Sequence, residues 1–97
     1  MLADEMLHKA AELVGGQRAL DYGDKLTNHT RIASLWNYWL REQGEKTEIS
    51  AYDVAMMMLL LKVARLMNSP GHHDSHIDIA GYASILEEIS FMSRDEP

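Results

Sequence analysis

Apolar residues along this chain fall at the spacings of amphipathic helices, with no sustained alternation of the strand type. Leu2, Met6, Ala10, Leu13 and Val14 recur three and four apart, on one face of a first helix, with Glu5, Lys9 and Glu12 largely on the other. Gly15-Gly16 ends that helix. From Gln17 to Thr27 no periodicity is sustained, and Gly23-Asp24 reads as a turn, so Arg18 to Asp24 is expected to form an ordered loop or short helical turn. Thr27 or Asn28 is expected to cap a second helix reaching about Gln43, with Ile32, Leu35, Trp36, Trp39 and Leu40 as its core stripe and Gly44 as its stop. Ser50 followed by Asp53 has the pattern of a capping box, with an aspartate in place of the usual Glu or Gln, and opens a third helix that runs to about Met67. Val54 to Leu61 is apolar all round, as in a helix surrounded by others, and part of that surface is expected to face another subunit. Ser69-Pro70-Gly71 breaks this helix. A fourth is expected from near Asp74 to about Met92, with Ile77, Ile85, Ile89 and Met92 spaced for burial. Gly81 inside it costs about 1 kcal/mol relative to Ala, so it marks a close helix crossing or a close approach by a ligand, the crossing being the commoner cause.

The expected fold is therefore all-α, a compact bundle of about four helices. At 97 residues the chain is too short for two independent cores, so one domain is expected over 1–97, with its core at about 2–92 and a frayed tail at 93–97. An apolar content of 46% and a charged content of 25% are those of a folded globular protein. Self-association into a homo-oligomer is expected of so short a helical chain. Fifteen acidic against nine basic residues give a formal charge of −6, which repels a polyphosphate backbone and argues against binding long nucleic acid. A local basic cluster could still hold a small anion. Without cysteine there is no disulfide framework and no thiolate metal site, which fits a reducing compartment. Charges at Asp4, Glu5, Lys9 and Glu12 interrupt the opening segment, so it lacks the apolar core of a signal peptide, and Val54 to Leu61 is far short of the roughly twenty residues that cross a bilayer. A cytoplasmic location with no membrane partner follows as the expectation.

The densest polar cluster is His72-His73-Asp74-Ser75-His76-Ile77-Asp78. Asp74 and Asp78 are four apart on one helical face, with carboxylates about 6 Å from each other, close enough to share a divalent cation. His73 lies on a neighbouring face; imidazole would suit zinc, iron or manganese, and carboxylates alone magnesium. Against this, Asp74 is well placed simply to complement the helix dipole. Lys62 and Arg65 close the preceding helix, where cations are favoured by its dipole; turned toward Asp74 and Asp78 they would make a mixed pocket, carboxylates on a metal and cations on phosphate oxygens. Arg18, Tyr22, Lys25, Asn28 and Arg31 form a second constellation, in which a guanidinium could grip phosphate and a Tyr ring stack on a base, or the arginines could merely pair with surface acids. There is no Gly-rich phosphate loop, no Gly-x-Ser-x-Gly elbow and no His-Glu-x-x-His helix.

Several blocks together resemble a family of short phage and prophage proteins of unassigned function. They are Asp21-Tyr22-Gly23-Asp24, Asn28 with Arg31-Ile32-Ala33 and Leu35-Trp36, Asp53-Val54-Ala55 leading to Lys62-Val63-Ala64-Arg65, and Asp74 with Asp78-Ile79-Ala80-Gly81-Tyr82-Ala83. The resemblance covers about residues 17 to 90 and implies a phage or prophage origin, hence a bacterial host cytoplasm. That pattern in turn looks like a shortened all-α pyrophosphohydrolase of the MazG type, in which acidic residues on two adjacent helices bind magnesium and water attacks a nucleoside triphosphate. The MazG pattern has Glu-Glu-x-x-Glu on one helix and Glu-x-x-Asp on the next; here the third helix offers Asp53 near its start and Asp74 and Asp78 stand at an altered spacing.

Three functions remain in competition. The first is metal-dependent nucleotide pyrophosphohydrolysis, with magnesium or manganese on Asp74, Asp78 and His73, and phosphate on Arg18, Tyr22, Asn28, Lys62 and Arg65. The second is capture of a nucleotide or other small phosphorylated ligand without turnover. The third is a protein-interaction module that docks on, or inhibits, a host or phage protein.

Overall fold

Four helices account for the regular structure of the computed structural model, which describes residues 1–16 and 25–94, with side chains to Met92. They are α1 (Ala3–Gly15), α2 (Lys25–Glu42), α3 (Ala51–Asn68) and α4 (His73–Arg94), and no strand occurs among the described residues. The expected all-α bundle is the fold observed. Among the described residues no helix is long and apolar enough to cross a membrane.

The start of α3 follows from two residues. Ser50 N–H donates to Asp53 Oδ2 at 2.9 Å and Asp53 N–H donates to Ser50 Oγ at 3.2 Å, so the shorter aspartate completes the capping box. At the end of α2, Glu45 N–H donates to Leu40 O and Gly44 N–H to Arg41 O, both at 2.9 Å, which is the paired bonding of a Schellman motif. Gly44 supplies the left-handed turn that this motif needs, at φ +85°. The loop from α2 to α3 is held by Asn37, whose side-chain amide donates to Ile49 O and accepts from Ile49 N–H, both at 2.9 Å.

Helix α2 begins at Lys25, so Thr27 and Asn28 lie inside it and do not cap it. In its first turn Lys25 Nζ lies 3.5 Å from Glu88 Oε2 on α4. The expected core stripe of α2 is also corrected. Leu35 and Trp39 are 71% and 64% exposed, while His29 and Ala33 are buried and Trp36 and Leu40 half-buried. At 100° per residue Leu35 and Tyr38 project away from the side that His29, Ala33, Trp36 and Leu40 give to the core, and Trp39 lies at its flank.

Helix α4 is the centre of the fold: it packs along α3, against α1 and, more lightly, against α2, while α2 and α3 also pack on one another. Ala55 on α3 meets Leu86 and Ile89 on α4, with Leu26, Ala51, Met56, Leu59 and Ile85 around them. Ile77 and Ile89 are buried, and Ile85 and Met92 half-buried, as their spacing predicts. Gly81 lies where α1 crosses α4: a Cβ built there would stand 3.5 Å from Val14 Cγ1, a contact with room for one methyl group. Extents of 45 × 34 × 24 Å make the molecule about two helix layers thick in its shortest direction.

Candidate functional site

The corner where α3 hands over to α4 carries most of the polar residues singled out from the sequence. Helix α3 stops at Ser69, whose N–H donates to Arg65 O at 2.9 Å. Ser69-Pro70-Gly71-His72 then turns the chain, with His72 N–H donating to Ser69 O at 3.0 Å and Pro70 at the second turn position, which its fixed φ suits. The two helices run back antiparallel.

His72 opens α4. The N–H of Ser75 donates to His72 Nδ1 at 3.2 Å, and Ser75 Oγ lies 2.7 Å from the same nitrogen. A backbone N–H can only donate, so Nδ1 is the acceptor and the ring proton sits on Nε2. The Ser75 hydroxyl must then donate to Nδ1 as well, which satisfies a side chain with no solvent exposure at all. An imidazole thus does the work of an N-cap side chain, outside the Ser, Thr, Asp and Asn set by which such positions are recognised in a sequence.

Lys62 Nζ reaches Asp78 Oδ2 at 3.0 Å across the α3–α4 seam, with the side chains only 15% and 24% exposed. From the sequence Lys62 is expected on phosphate oxygens and Asp78 on a metal, whereas here the two groups form a direct ion pair. Arg65 is three residues further on and rotated by about 60°, enough to leave the seam. It lines a hollow of about 590 Å³ together with Leu61, Ala64, Asn68, Ser69 and His72. Among the described residues no carboxylate lies within ion-pair distance of its guanidinium.

Asp74 is exposed in the first turn of α4, and His73 is exposed with its ring centroid 6.4 Å from that of His76. Asn28 is half-buried on α2, away from the residues lining the hollow. Arg18 and Tyr22, with the Asp21 to Asp24 block, lie outside the described residues. No group of three or more His, Cys, Asp or Glu gathers to hold a metal ion among the described residues.

Two further groups escaped the sequence reasoning. Asn68 and Ser69 line the hollow, and their only signal was position at a helix end beside a cation. His29 is buried in α2, donates from Nδ1 to Lys25 O at 2.8 Å and meets the Tyr82 ring edge-on at 6.4 Å. Its signal was the four-residue step from His29 to Ala33 along the core face of α2.

A small antiparallel-helix domain with a polar corner between its last two helices is the class that fold and site define. The chain belongs to the DUF6378 family, described as a domain of unknown function, which it matches over residues 5–90. It is 49% identical over 91 residues to the Gene 55 protein of Mycobacterium phage L5, an alignment spanning 94% of this chain and 55% of that protein. It is 38% identical over 88 residues to the Gene 55 protein of Mycobacterium phage D29, covering 91% of this chain and again 55% of the relative. The chain therefore spans about half the length of the curated relatives it matches. No solved structure matches it significantly. Family and relatives together support a small phage protein of unknown function.

Proposed function

We propose that this domain binds a nucleotide or a similar small phosphorylated ligand in the hollow at the α3–α4 corner, with Arg65 gripping phosphate. The observation that carries this reading is the Arg65 guanidinium, which has no carboxylate partner among the described residues and faces a concavity of about 590 Å³. That volume falls within the roughly 300–1,000 Å³ typical of small-molecule sites. Leu61 and Ala64 provide apolar contact for a base or sugar, and Asn68, Ser69 and the Nε2–H of His72 add donors suited to phosphate oxygens. Lys62 is neutralised by Asp78, so it supports the helix pair and leaves phosphate to Arg65.

Turnover, which the MazG resemblance implies, would need magnesium or manganese on Asp74 and Asp78, with His73 beside them. Among the described residues no third acid or imidazole gathers with that pair, and the Lys62 ammonium stands 3.0 Å from Asp78, where a cation would bind. Capture is accordingly the reading the geometry favours over hydrolysis. One set of measurements tests both. Thermal unfolding is followed with linear and cyclic nucleotides, with and without magnesium or manganese, and pyrophosphate release is assayed in parallel. A ligand at a hundred times its Kd should stabilise the fold by about 2.7 kcal/mol, and Arg65→Ala should abolish the effect. Absence of a shift with every nucleotide, or a shift of equal size in the variant, would overturn the assignment. Pyrophosphate release lost in Asp74→Ala would restore the hydrolytic reading.

A second reading, docking on a host or phage protein, is favoured by one observation: Leu35, Tyr38 and Trp39 stand exposed on α2. Trp39→Ser tests it, because it should leave the fold and any nucleotide response intact while removing a docked partner.

A further inference from the structure

Helix α3 presents apolar surface in two opposite directions, and the described residues cover only one of them. Val54 and Ala55 have no exposure and face the core, whereas Met57, Leu60, Leu61 and Met67 are 44%, 55%, 44% and 83% exposed. Met57, Leu60, Ala64 and Met67 are separated by three, four and three residues, the spacing of a coiled-coil seam, and at 100° per residue that seam lies opposite the core face. Helices α2 and α4 take the core side, and α1 makes no contact with α3. From Met57 to Met67 the stripe carries no charge, and Asp53, the acid that continues it four residues earlier, is tied into the capping box with Ser50 at the far end of the helix.

We infer that the outer face of α3 is the interface between two copies of this chain, paired antiparallel about a two-fold axis. The seam has the symmetry such a pairing requires, because an isologous contact needs residue i to meet j while j meets i. With the axis at the level of residue 62, Met57 of one copy faces Met67 of the other, and Leu60 faces Ala64, a large residue against a small one. At about 200 Å² for a fully exposed Leu or Met, the exposures of Met57, Leu60 and Met67 amount to roughly 360 Å² of apolar surface. That is a little under half of the about 800 Å² each partner buries in an interface of standard size, with Ala64 and the flanking residues to provide the rest.

The pairing also bears on the ligand hollow, a consequence that rests on the function proposed above. Leu61, Ala64 and Asn68 border both the seam and the hollow. The same register lays the first turns of the other copy's α3 beside Met67 to Gly71, so the second copy walls the hollow on its open side.

Light scattering and sedimentation of the 97-residue chain should give twice its 11.0 kDa mass, and Leu60→Glu should return it to the single mass with helical content unchanged. Register is tested separately by cysteine pairing, which is clean because the chain has no cysteine of its own. Leu60→Cys and Ala64→Cys chains should cross-link on oxidation when mixed, and neither should cross-link efficiently alone. A monomer at 100 µM, roughly the upper range for a specific contact, a dimer that survives Leu60→Glu, or cross-linking in the single variants as efficient as in the mixture would each overturn the pairing. A dimer with no response to any nucleotide supports the pairing and removes only the ligand reading. Full nucleotide stabilisation of the monomeric variant overturns the second copy's part in the hollow.

Discussion

The Lys62–Asp78 pair decides whether Asp78 is a structural group or one available to a cation, and a double-mutant cycle measures this. At 3.0 Å two unit charges attract by about 5 kcal/mol at an effective dielectric constant of 20. Most of that is offset by removing both groups from water. Exposed pairs retain about 0.2–1 kcal/mol, and breaking a fully buried pair costs about 3–5 kcal/mol. With side chains 15% and 24% exposed, this pair belongs between those limits, at a coupling of about 1–2 kcal/mol. Lys62→Met, Asp78→Asn and the double variant are compared by urea unfolding, taking the midpoint and slope together. Asp78→Asn alone should lower Tm by roughly 5–15 °C, at about 4–8 °C per kcal/mol for a domain of this length. Raising salt from 0.1 to 1 M shortens the screening length from about 10 to about 3 Å, yet should remove less than half of the coupling, because the seam excludes most of the solvent. A coupling indistinguishable from zero would refute the reasoning, and would mean that Asp78 is free to serve a metal.

Other consequences follow from single side chains. His72→Ala removes the acceptor of the buried Ser75 hydroxyl and should destabilise the domain by about 1–2 kcal/mol in denaturant unfolding, while His72→Asn, which keeps a capping acceptor, should recover most of the loss. Gly81→Ala should stabilise by about 0.5–1 kcal/mol, since the methyl group meets Val14 at an ordinary 3.5 Å and the helix gains propensity; a lowered Tm would show that α1 and α4 need the closer approach. Asp74→Asn should tighten nucleotide binding at low salt, because it removes an exposed negative charge two residues from His72, which lines the hollow. Calorimetric titration checks this, and a large loss of affinity confined to magnesium-containing buffer would instead mark Asp74 as a metal ligand.

How far the sequence could be read depended on whether each feature is set locally or by neighbours. The capping box was legible because Ser50 and Asp53 satisfy each other's N–H groups within one turn, and the Gly44 stop because its motif closes over six residues. Helix α2 was less legible at both levels. It already includes Lys25, so the Thr27 and Asn28 signals led to a boundary too far along the chain. Its apolar residues occupy two opposite faces, and periodicity lists them without saying which face meets a neighbour. The candidate site divides in the same way. That Lys62 and Asp78 stand near one corner was legible from their places at the ends of two consecutive helices, but their direct ion pair was not. That Arg65 turns elsewhere, and that His72 caps α4, depended on where the Pro70-Gly71 turn leaves the start of α4, which no spacing rule supplies.

A helix must bury its apolar stripe against something, and α3 has two such stripes, with Lys62 and Arg65 near its C-terminal end on the core side. Lys62 meets α4 there, and its ammonium is drawn into the seam because Asp78 lies across. Arg65, one turn further along, lines the hollow with Ala64 and Asn68. Neutralising one cation keeps the helix pair together, and leaving the other without a carboxylate keeps a guanidinium ready for an anion. The methionine and leucine seam then has a consequence for that anion. Surface that closes between two copies excludes water from the hollow's edge, and a charge-assisted hydrogen bond strengthens as the local dielectric falls. On the proposed ligand site and pairing, phosphate affinity and self-association are coupled through α3, and by linkage a ligand that needs the second copy's wall must favour the dimer by the same factor with which the dimer favours the ligand.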